Sequence, residues 1–366
     1  MKPRPDPKRA LIVHTGGGLG DVLLSGPVID TLKKAGYLVD FLARKGTAEA
    51  IRRHPNLSEV LTIDSKDPSD LSQMREWSRT LRNRDYSVCL LLWSTTRWAW
   101  TLYHTGIPTR VGQDSRLLYS FLFTHRVKIR SERGDTHTHW TEILLDYTRE
   151  LGLEPAPSKL NFPIEASATA EAQQIIDQTD FGPLDGPLIG FHSGKGLPLT
   201  AQRWPVSHFA RLASHLQTTL GARLILTGGP GETELVASVS QGLSLPHANI
   251  AGKTSLSVLA AVAQNCDIFV CPDSGPMHLA AAVKTPVVGI YALDEDFPQR
   301  WAPFGVPHKI VRPPRPACPK GCSKPTCANF ACYLKVQPEE VSEAVALLWE
   351  ETKSAVPRSQ RNLHKR

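Results

Sequence analysis

An aspartate inside a glycine-rich segment is the first residue whose setting suggests chemistry. The segment "LIVHTGGGLGDVLLSGPVIDTL" spans residues 11–32, and its apolar run leads through glycines to Asp21, where a helix should begin. Glycine turns between a strand and a helix usually bind phosphate through backbone N–H groups, and a carboxylate would repel that ligand. Asp21 is therefore expected either to cap the helix or to act as a general base toward a hydroxyl substrate.

The same segment does not fit the known nucleotide-binding loops. The dinucleotide fingerprint would need a glycine where Asp21 stands, and the sequence contains no G-x-x-x-x-G-K-[ST] loop. These departures argue against a dehydrogenase and against an NTPase. Gly17, Gly18 and Gly20 still permit a tight turn that a ligand can approach closely.

A second segment, "CPDSGPMHLAAA" at residues 271–282, has the opposite electrostatics. Asp273 or Ser274 is a natural N-cap, Pro276 suits the first helical turn, and His278 projects from that turn. The resulting helix N-terminus would offer free N–H groups and partial positive charge to a diphosphate. Capping alone would also explain these residues.

Two more loops follow predicted strands of the second half. "HSGKGLPLTAQRWP" contains Lys195 and Arg203, and "TGGPGE" ends at Glu232. Small residues let the backbone approach a ligand, cations offset phosphate charge, and Glu232 could accept hydrogen bonds from ribose hydroxyls. The convergence of these loops with Asp273 favours a nucleotide site over simple capping.

The elements that must position these loops alternate between strand and helix patterns. A proline-rich stretch at about 152–187 separates two series, and each series predicts a parallel sheet covered by helices. We therefore expect an α/β fold of two doubly wound sheets whose ligands bind at the carboxyl ends of the strands. The predicted strands are 9–15, 37–43, 60–64 and 86–93, then 187–193, 222–229, 266–271 and 286–292.

Composition narrows the class of partner. The 366 residues carry a net charge of +7, which favours anionic lipid surfaces or phosphorylated small molecules. No basic block interleaved with aromatics occurs, so we do not expect nucleic acid as a partner. The longest apolar runs have strand length and the N-terminus lacks the pattern of a secretory signal, so a cytoplasmic location is expected.

Taken in order, several segments resemble the family 9 glycosyltransferases, the heptosyltransferases of lipopolysaccharide core synthesis. They are "LGDVLLSGPVIDTLKKAG", "RWPVSHFARLASHL", "LTGGPGE" and the block from Asn249 to Ala292. The resemblance spans nearly the whole chain. It implies a GT-B fold, with two Rossmann-like domains facing a central cleft, and an inverting, metal-independent transfer without cofactor. The implied donor is ADP-heptose or a similar nucleoside diphosphate sugar, and the implied acceptor is an anionic, lipid-linked saccharide of the lipopolysaccharide core or lipid A.

The resemblance also implies roles for individual residues. Asp21 would deprotonate the acceptor hydroxyl, and Gly17, Gly18 and Gly20 would form the acceptor loop. Glu232 falls where the family meets the ribose, and Thr254 falls where it meets the nucleotide base. The residues implied for donor binding are Ser193, Gly194, Lys195, Arg203, Gly229, Glu232, Thr254, Asp273, Ser274, Gly275 and His278.

The implied organisation places acceptor binding in residues 1–165 and nucleotide-sugar binding in residues 187–350. A linker would occupy residues 166–186, and a basic tail residues 351–366. Because the acceptor is lipid-linked, the enzyme is expected to work peripherally at the cytoplasmic face of the inner membrane.

Three departures from the family pattern keep other functions open. Gln202 replaces a lysine that neutralises phosphate, Pro272 replaces an asparagine, and "ALDEDFPQRW" at 292–301 replaces a loop that holds the donor sugar. Arg203 or Lys195 could supply the missing charge. The alternatives are a sugar-nucleotide binding protein without transferase activity and a sugar-nucleotide epimerase.

Two further features have structural interpretations. The spacings of Cys318, Cys322, Cys327 and Cys332 lack a C-x-x-C knuckle, so we expect structural thiols rather than zinc. The segment "TTRWAWTLYH" at 95–104 places Trp98, Trp100 and Tyr103 on one helix. These rings are expected mainly in the core, although one could line the acceptor face or touch a membrane.

Overall fold

A computed structural model of the chain describes residues 8–157, 159–194, 204–292, 298–314 and 331–353. The chain separates into two compact units, Met1–Pro163 and Ile164–Arg366. Within the described ranges, no helix combines the length and the apolar character that crossing a bilayer requires.

The first unit is a parallel sheet with the strand order β3-β2-β1-β4-β5-β6. Its strands are β1 (Arg9–His14), β2 (Leu38–Arg44), β3 (Leu57–Ile63), β4 (Tyr86–Leu91), β5 (Thr109–Gln113) and β6 (His125–Val127). Its helices are α1 (Leu19–Leu23), α2 (Gly26–Lys34), α3 (Lys45–Ala48), α4 (Leu71–Arg82), α5 (Thr96–Thr105) and α6 (Trp140–Arg149).

Strand β1 lies at the centre of this sheet. It is buried from Ala10 to His14 and pairs in parallel with β2 on one side and β4 on the other. Burial on both faces explains why its sequence is a continuous apolar run rather than an alternating one. The strand order reverses between β1 and β4, and doubly wound sheets bind their ligands beside that point.

The second unit repeats the arrangement with the order β12-β11-β10-β7-β8-β9. Its strands are β7 (Leu188–His192), β8 (Arg223–Thr227), β9 (Ala248–Asn249), β10 (Ile268–Pro272), β11 (Val287–Ile290) and β12 (His308–Val311). Its helices are α7 (Ala166–Gln178), α8 (Val206–Leu220), α9 (Thr233–Gln241), α10 (Leu256–Asn265), α11 (Gly275–Ala282) and α12 (Pro338–Lys353). The order reverses between β7 and β10.

The expected α/β class with two doubly wound parallel sheets is confirmed. All eight predicted strands form, whereas β5, β6, β9 and β12 were not predicted. Those four strands have two to five residues and mix polar with apolar side chains, so no apolar run marks them in the sequence.

The segment expected as a linker, 166–186, packs within the second unit. Ala168 and Ala172 of α7 are buried in one cluster with Phe181 and Leu188, and α7 lies against α10. The two units divide at Pro163 and Ile164, just before α7.

Candidate active site

The glycine loop after β1 holds Asp21 at the start of α1. The Gly18 N–H donates a hydrogen bond of 2.7 Å to Asp21 Oδ2, so the carboxylate does cap the helix. Gly17 has a φ of +66°, and a Cβ there would lie 2.6 Å from Asp21 Cγ. Asp21 is half-buried and has no second hydrogen-bond partner in the described part of the chain. Its Oδ1 is therefore available to a substrate hydroxyl.

Two side chains that the motifs did not single out shape this loop. Arg44, at the end of β2, donates a hydrogen bond of 2.8 Å from Nη2 to the Gly17 carbonyl. Trp93, just after β4, lies so close that a Cβ at Gly16 would overlap its indole ring. Lys66 Nζ lies 5.7 Å from the centroid of that ring. In the sequence, the position of Arg44 at the carboxyl end of a predicted strand could have indicated that it lies at this loop.

His14 is the last residue of β1 and comes just before the glycine loop. Its side chain is fully buried, and neither ring nitrogen has a hydrogen-bond partner among the described residues. Its ring centroid lies 5.8 Å from that of Trp93. Burial lowers the pKa of His14, and the negative charge of Asp21 opposes this only in part. The imidazole is therefore neutral near pH 7.

In the second unit, Glu232 joins the loops that follow β7 and β8. The Gly229 N–H donates a hydrogen bond of 2.7 Å to Glu232 Oε2. Gly194 lies against the same carboxylate, because a Cβ at Gly194 would overlap Oε1. Ser193 is 1% exposed, and its Oγ has no hydrogen-bond partner among the described residues. These two loops, predicted separately, form one polar surface.

His192, the last residue of β7, lies next to Glu232, and the sequence did not predict it as a site residue. Its Nδ1 lies 3.1 Å from Thr227 Oγ1, and its Nε2 lies 3.9 Å from Glu232 Oε2. Burial lowers the pKa of His192, while the charge of Glu232 opposes that shift. Its place at the carboxyl end of a strand was the only signal in the sequence.

The N-terminus of α11 follows β10. Ser274 is the N-cap residue, but its hydroxyl donates to the Pro272 carbonyl at 3.0 Å and makes no capping bond to the helix. The Asp273 N–H donates to the Ile290 carbonyl at 3.1 Å, and His278 is buried within the first turns. With Gly275 opening the helix, partial positive charge and backbone donors face the end of the sheet.

Four loops that carry residues predicted to bind the sugar nucleotide are neighbours along one edge of this sheet. The strand order β10-β7-β8-β9 places Asp273, Ser193, Glu232 and Thr254 in succession. Thr254 is half-buried in the turn between β9 and α10. At a strand spacing of about 4.8 Å, the edge from β10 to β9 extends roughly 14 Å. An elongated ligand could touch all four loops.

Several predicted positions lie outside the described residues. These are Lys195, Gln202, Arg203, most of the "ALDED" loop and Cys318, Cys322 and Cys327. Cys332 is 4% exposed and packs in the core of the second unit. Elsewhere in the described ranges, no group of three or more His, Cys, Asp or Glu side chains could hold a metal ion. The choice between zinc and structural thiols is therefore still a prediction.

Comparison with known sequences points to one family of enzymes. The sequence model of glycosyltransferase family 9 (heptosyltransferase) matches residues 74–329. Lipopolysaccharide heptosyltransferase 2 of Salmonella typhimurium is 26% identical over 282 residues, which are 75% of this chain and 80% of that protein.

Solved structures share the fold. The family 9 glycosyltransferase of Veillonella parvula has a TM-score of 0.81 at 23% identity, covering 95% of this chain and 99% of the other. The Escherichia coli ADP-heptose LPS heptosyltransferase II has a TM-score of 0.73 at 19% identity, covering 94% and 99%. This likeness confirms the expected GT-B architecture of two Rossmann-like units.

Proposed function

The chain belongs to glycosyltransferase family 9, and from this premise we propose that it transfers a heptose from ADP-heptose to a lipopolysaccharide core or lipid A-linked acceptor. The order of the loops along the β10-β7-β8-β9 edge carries the proposal. It follows the order of parts in a nucleoside diphosphate sugar, from sugar and diphosphate through ribose to base. The names of the Salmonella and E. coli relatives support the heptose, the nucleotide and the acceptor.

The donor is proposed to lie along this edge with its diphosphate at the N-terminus of α11. Glu232 accepts hydrogen bonds from the ribose hydroxyls, while Thr254 contacts the base. The Gly229 N–H donates a hydrogen bond to Oε2 of the Glu232 carboxylate, and this bond fixes the orientation of the carboxylate. The other donor contacts are assigned to Ser193, Gly194, Lys195, Arg203, Gly229, Asp273, Ser274, Gly275 and His278.

Asp21 is proposed as the base of an inverting transfer. The acceptor hydroxyl oxygen bonds to the anomeric carbon while the bond from that carbon to the diphosphate oxygen breaks. The hydroxyl proton passes to Asp21, and ADP leaves with the electron pair of the broken bond. Backbone N–H groups at α11 stabilise the charge that grows on the diphosphate, so the mechanism requires no metal ion.

The acceptor loop is proposed to suit an anionic saccharide. Arg44 and Lys66 lie beside Gly17 and Trp93, and cations there can bind phosphate or carboxylate groups on the acceptor. Gly17, Gly18 and Gly20 leave clearance for the incoming hydroxyl. Because the acceptor is lipid-linked, we place the reaction at the cytoplasmic face of the inner membrane.

The test is a transfer assay with purified protein, ADP-heptose and lipopolysaccharide that lacks core heptose. We expect ADP release that depends on acceptor, together with an acceptor mass increased by one heptose residue. ADP-glucose and UDP-glucose serve as matched donors, and both should react more slowly. A new sugar nucleotide formed without acceptor would instead indicate an epimerase, and ADP binding without turnover on any acceptor would contradict transfer.

A further inference from the structure

An exposed apolar patch on the first unit contains none of the residues assigned to catalysis. Its members are 45% to 97% exposed and belong to α5 and to the turn after β5, and we call them the apolar patch: Tyr103, Leu117, Leu118 and Phe121. Trp100, half-buried beneath them, has its ring centroid 6.0 Å from those of both Tyr103 and Phe121. Leu117 and Leu118 lie in the turn directly before Phe121, which the Ser120 N–H closes by donating to the Arg116 carbonyl at 2.9 Å. Exposed apolar side chains grouped in this way often mark an interaction site.

A row of arginines lies beside the patch on α4. Arg75, Arg79 and Arg82 follow helical spacing and line a cavity of about 450 Å³ together with Leu71 and His104. Within the described residues, none of these three guanidinium groups has an ion-pair partner. Glu76 also lies on α4, but the three arginines give this helix a net positive charge, which attracts anions.

His104 connects the arginine row to the apolar patch. Its imidazole lines the cavity and stacks on Trp100, with ring centroids 6.1 Å apart. The Arg82 guanidinium donates to the His104 carbonyl at 2.5 Å, and that of Arg110 lies 5.5 Å from the Tyr103 ring centroid. Through His104 and Trp100, the arginine row is therefore linked to Tyr103 and Phe121.

We propose that this surface docks on an anionic lipid bilayer. Leu117, Leu118 and Phe121 enter the boundary between headgroups and acyl chains, while the arginine row contacts lipid phosphates. Tyr103 has the amphipathic character that suits the interface. Charge argues against a second copy of the chain, because a symmetric contact would bring two unneutralised arginine rows together. The inference rests on the proposed function only in assuming a lipid-linked acceptor.

The test is sedimentation with vesicles of phosphatidylethanolamine and phosphatidylglycerol, compared with vesicles of phosphatidylcholine alone. We expect binding to the anionic vesicles only. The double variants Leu117→Ser/Leu118→Ser and Arg75→Gln/Arg79→Gln should each bind about tenfold more weakly or worse. These four side chains are exposed, so the variants should keep the wild-type melting temperature.

Matched controls remove comparable groups elsewhere. Leu334→Ser/Leu347→Ser removes exposed leucines of the second unit, and Lys33→Gln/Lys34→Gln removes exposed cations of α2. Both controls should bind vesicles as the wild type does. Equal loss in the controls and in the patch variants would overturn the proposal.

Two further readouts separate docking from the alternatives. Vesicle binding needs no donor, so it can succeed or fail independently of heptose transfer. With a saccharide acceptor that has no acyl chains, the patch variants should react at the wild-type rate. The proposal is overturned if the wild type does not bind anionic vesicles. It is also overturned if light scattering shows a dimer that Leu117→Ser/Leu118→Ser dissociates while vesicle binding persists.

Discussion

The Asp21 carboxylate accepts a hydrogen bond of 2.7 Å from the Gly18 N–H, so the proposed base also closes the loop that holds it. Gly18 is the N-cap residue and Asp21 the third helical residue, so Asp21 can cap the helix from within its first turn and still serve as a general base. One oxygen fixes the start of α1, and the other remains for the substrate. Variants that keep one role and remove the other can separate the two.

Asp21→Asn should abolish most of the transfer activity without unfolding the loop. The amide oxygen can still accept from the Gly18 N–H, but an amide cannot take the hydroxyl proton. We expect kcat to fall by roughly 10² to 10⁴, with unchanged affinity for ADP in calorimetry. Asp21→Ala should in addition lower the free energy of unfolding by about 1 kcal/mol. Wild-type kcat in the asparagine variant would exclude Asp21 as the base.

Gly17→Ala should displace Asp21, because the new Cβ would lie 2.6 Å from Asp21 Cγ in a backbone with a φ of +66°. Gly36→Ala is the control, since Gly36 has a φ of +89° but no atom near the added Cβ. The positive φ should destabilise both variants by about 1–2 kcal/mol in urea unfolding, and the clash should destabilise Gly17→Ala further. Only Gly17→Ala should also lose kcat. Equal kcat in the two variants would contradict the expected clash.

Glu232→Gln should weaken nucleotide binding, because a neutral amide accepts ribose hydrogen bonds less strongly than a carboxylate does. We expect the Kd for ADP to rise by roughly tenfold in calorimetry. Glu234→Gln is the neighbouring control, since Glu234 is exposed on α9 and should leave the Kd unchanged. A fall in kcat at an unchanged Kd for ADP would instead indicate that Glu232 does not bind the ribose.

Stability should fall as the pH drops below about 6.5, the ordinary pKa of histidine. Burial lowers the pKa of His14, His54 and His192 in the folded protein, so the unfolded chain binds more protons in that range. Each histidine contributes a loss of up to about 1.4 kcal/mol per pH unit, which begins below its unfolded pKa and ends at its folded pKa.

Urea unfolding at about pH 7.5 and about pH 5.5 measures this loss. His192→Asn, which cannot be protonated, should reduce the difference between the two pH values. The exposed His104 is the control, and His104→Asn should leave that difference as in the wild type. An equal pH dependence in wild type and His192→Asn would show that His192 does not contribute.

The sequence predicted the parallel sheets well because buried strands need apolar side chains on both faces. Strand β1 is such a case, and the glycines and Asp21 after it marked the loop. The short strand β9 left no hydrophobic period, and it was missed although its loop carries Thr254. His192 was missed because a histidine that closes an apolar strand looks like any core residue until its partners are known.

The sequence by itself therefore determined the fold class, the family and the loops where chemistry should occur, since local pattern and motif order encode these. Only the tertiary structure decided which side chains meet across strands that are distant in the chain. It brought Glu232 to His192 and Gly194, and it connected the arginine row of α4 through His104 to Trp100 and Phe121. Strand order and helix packing set those distances and exposures, and neither is a property of any single segment.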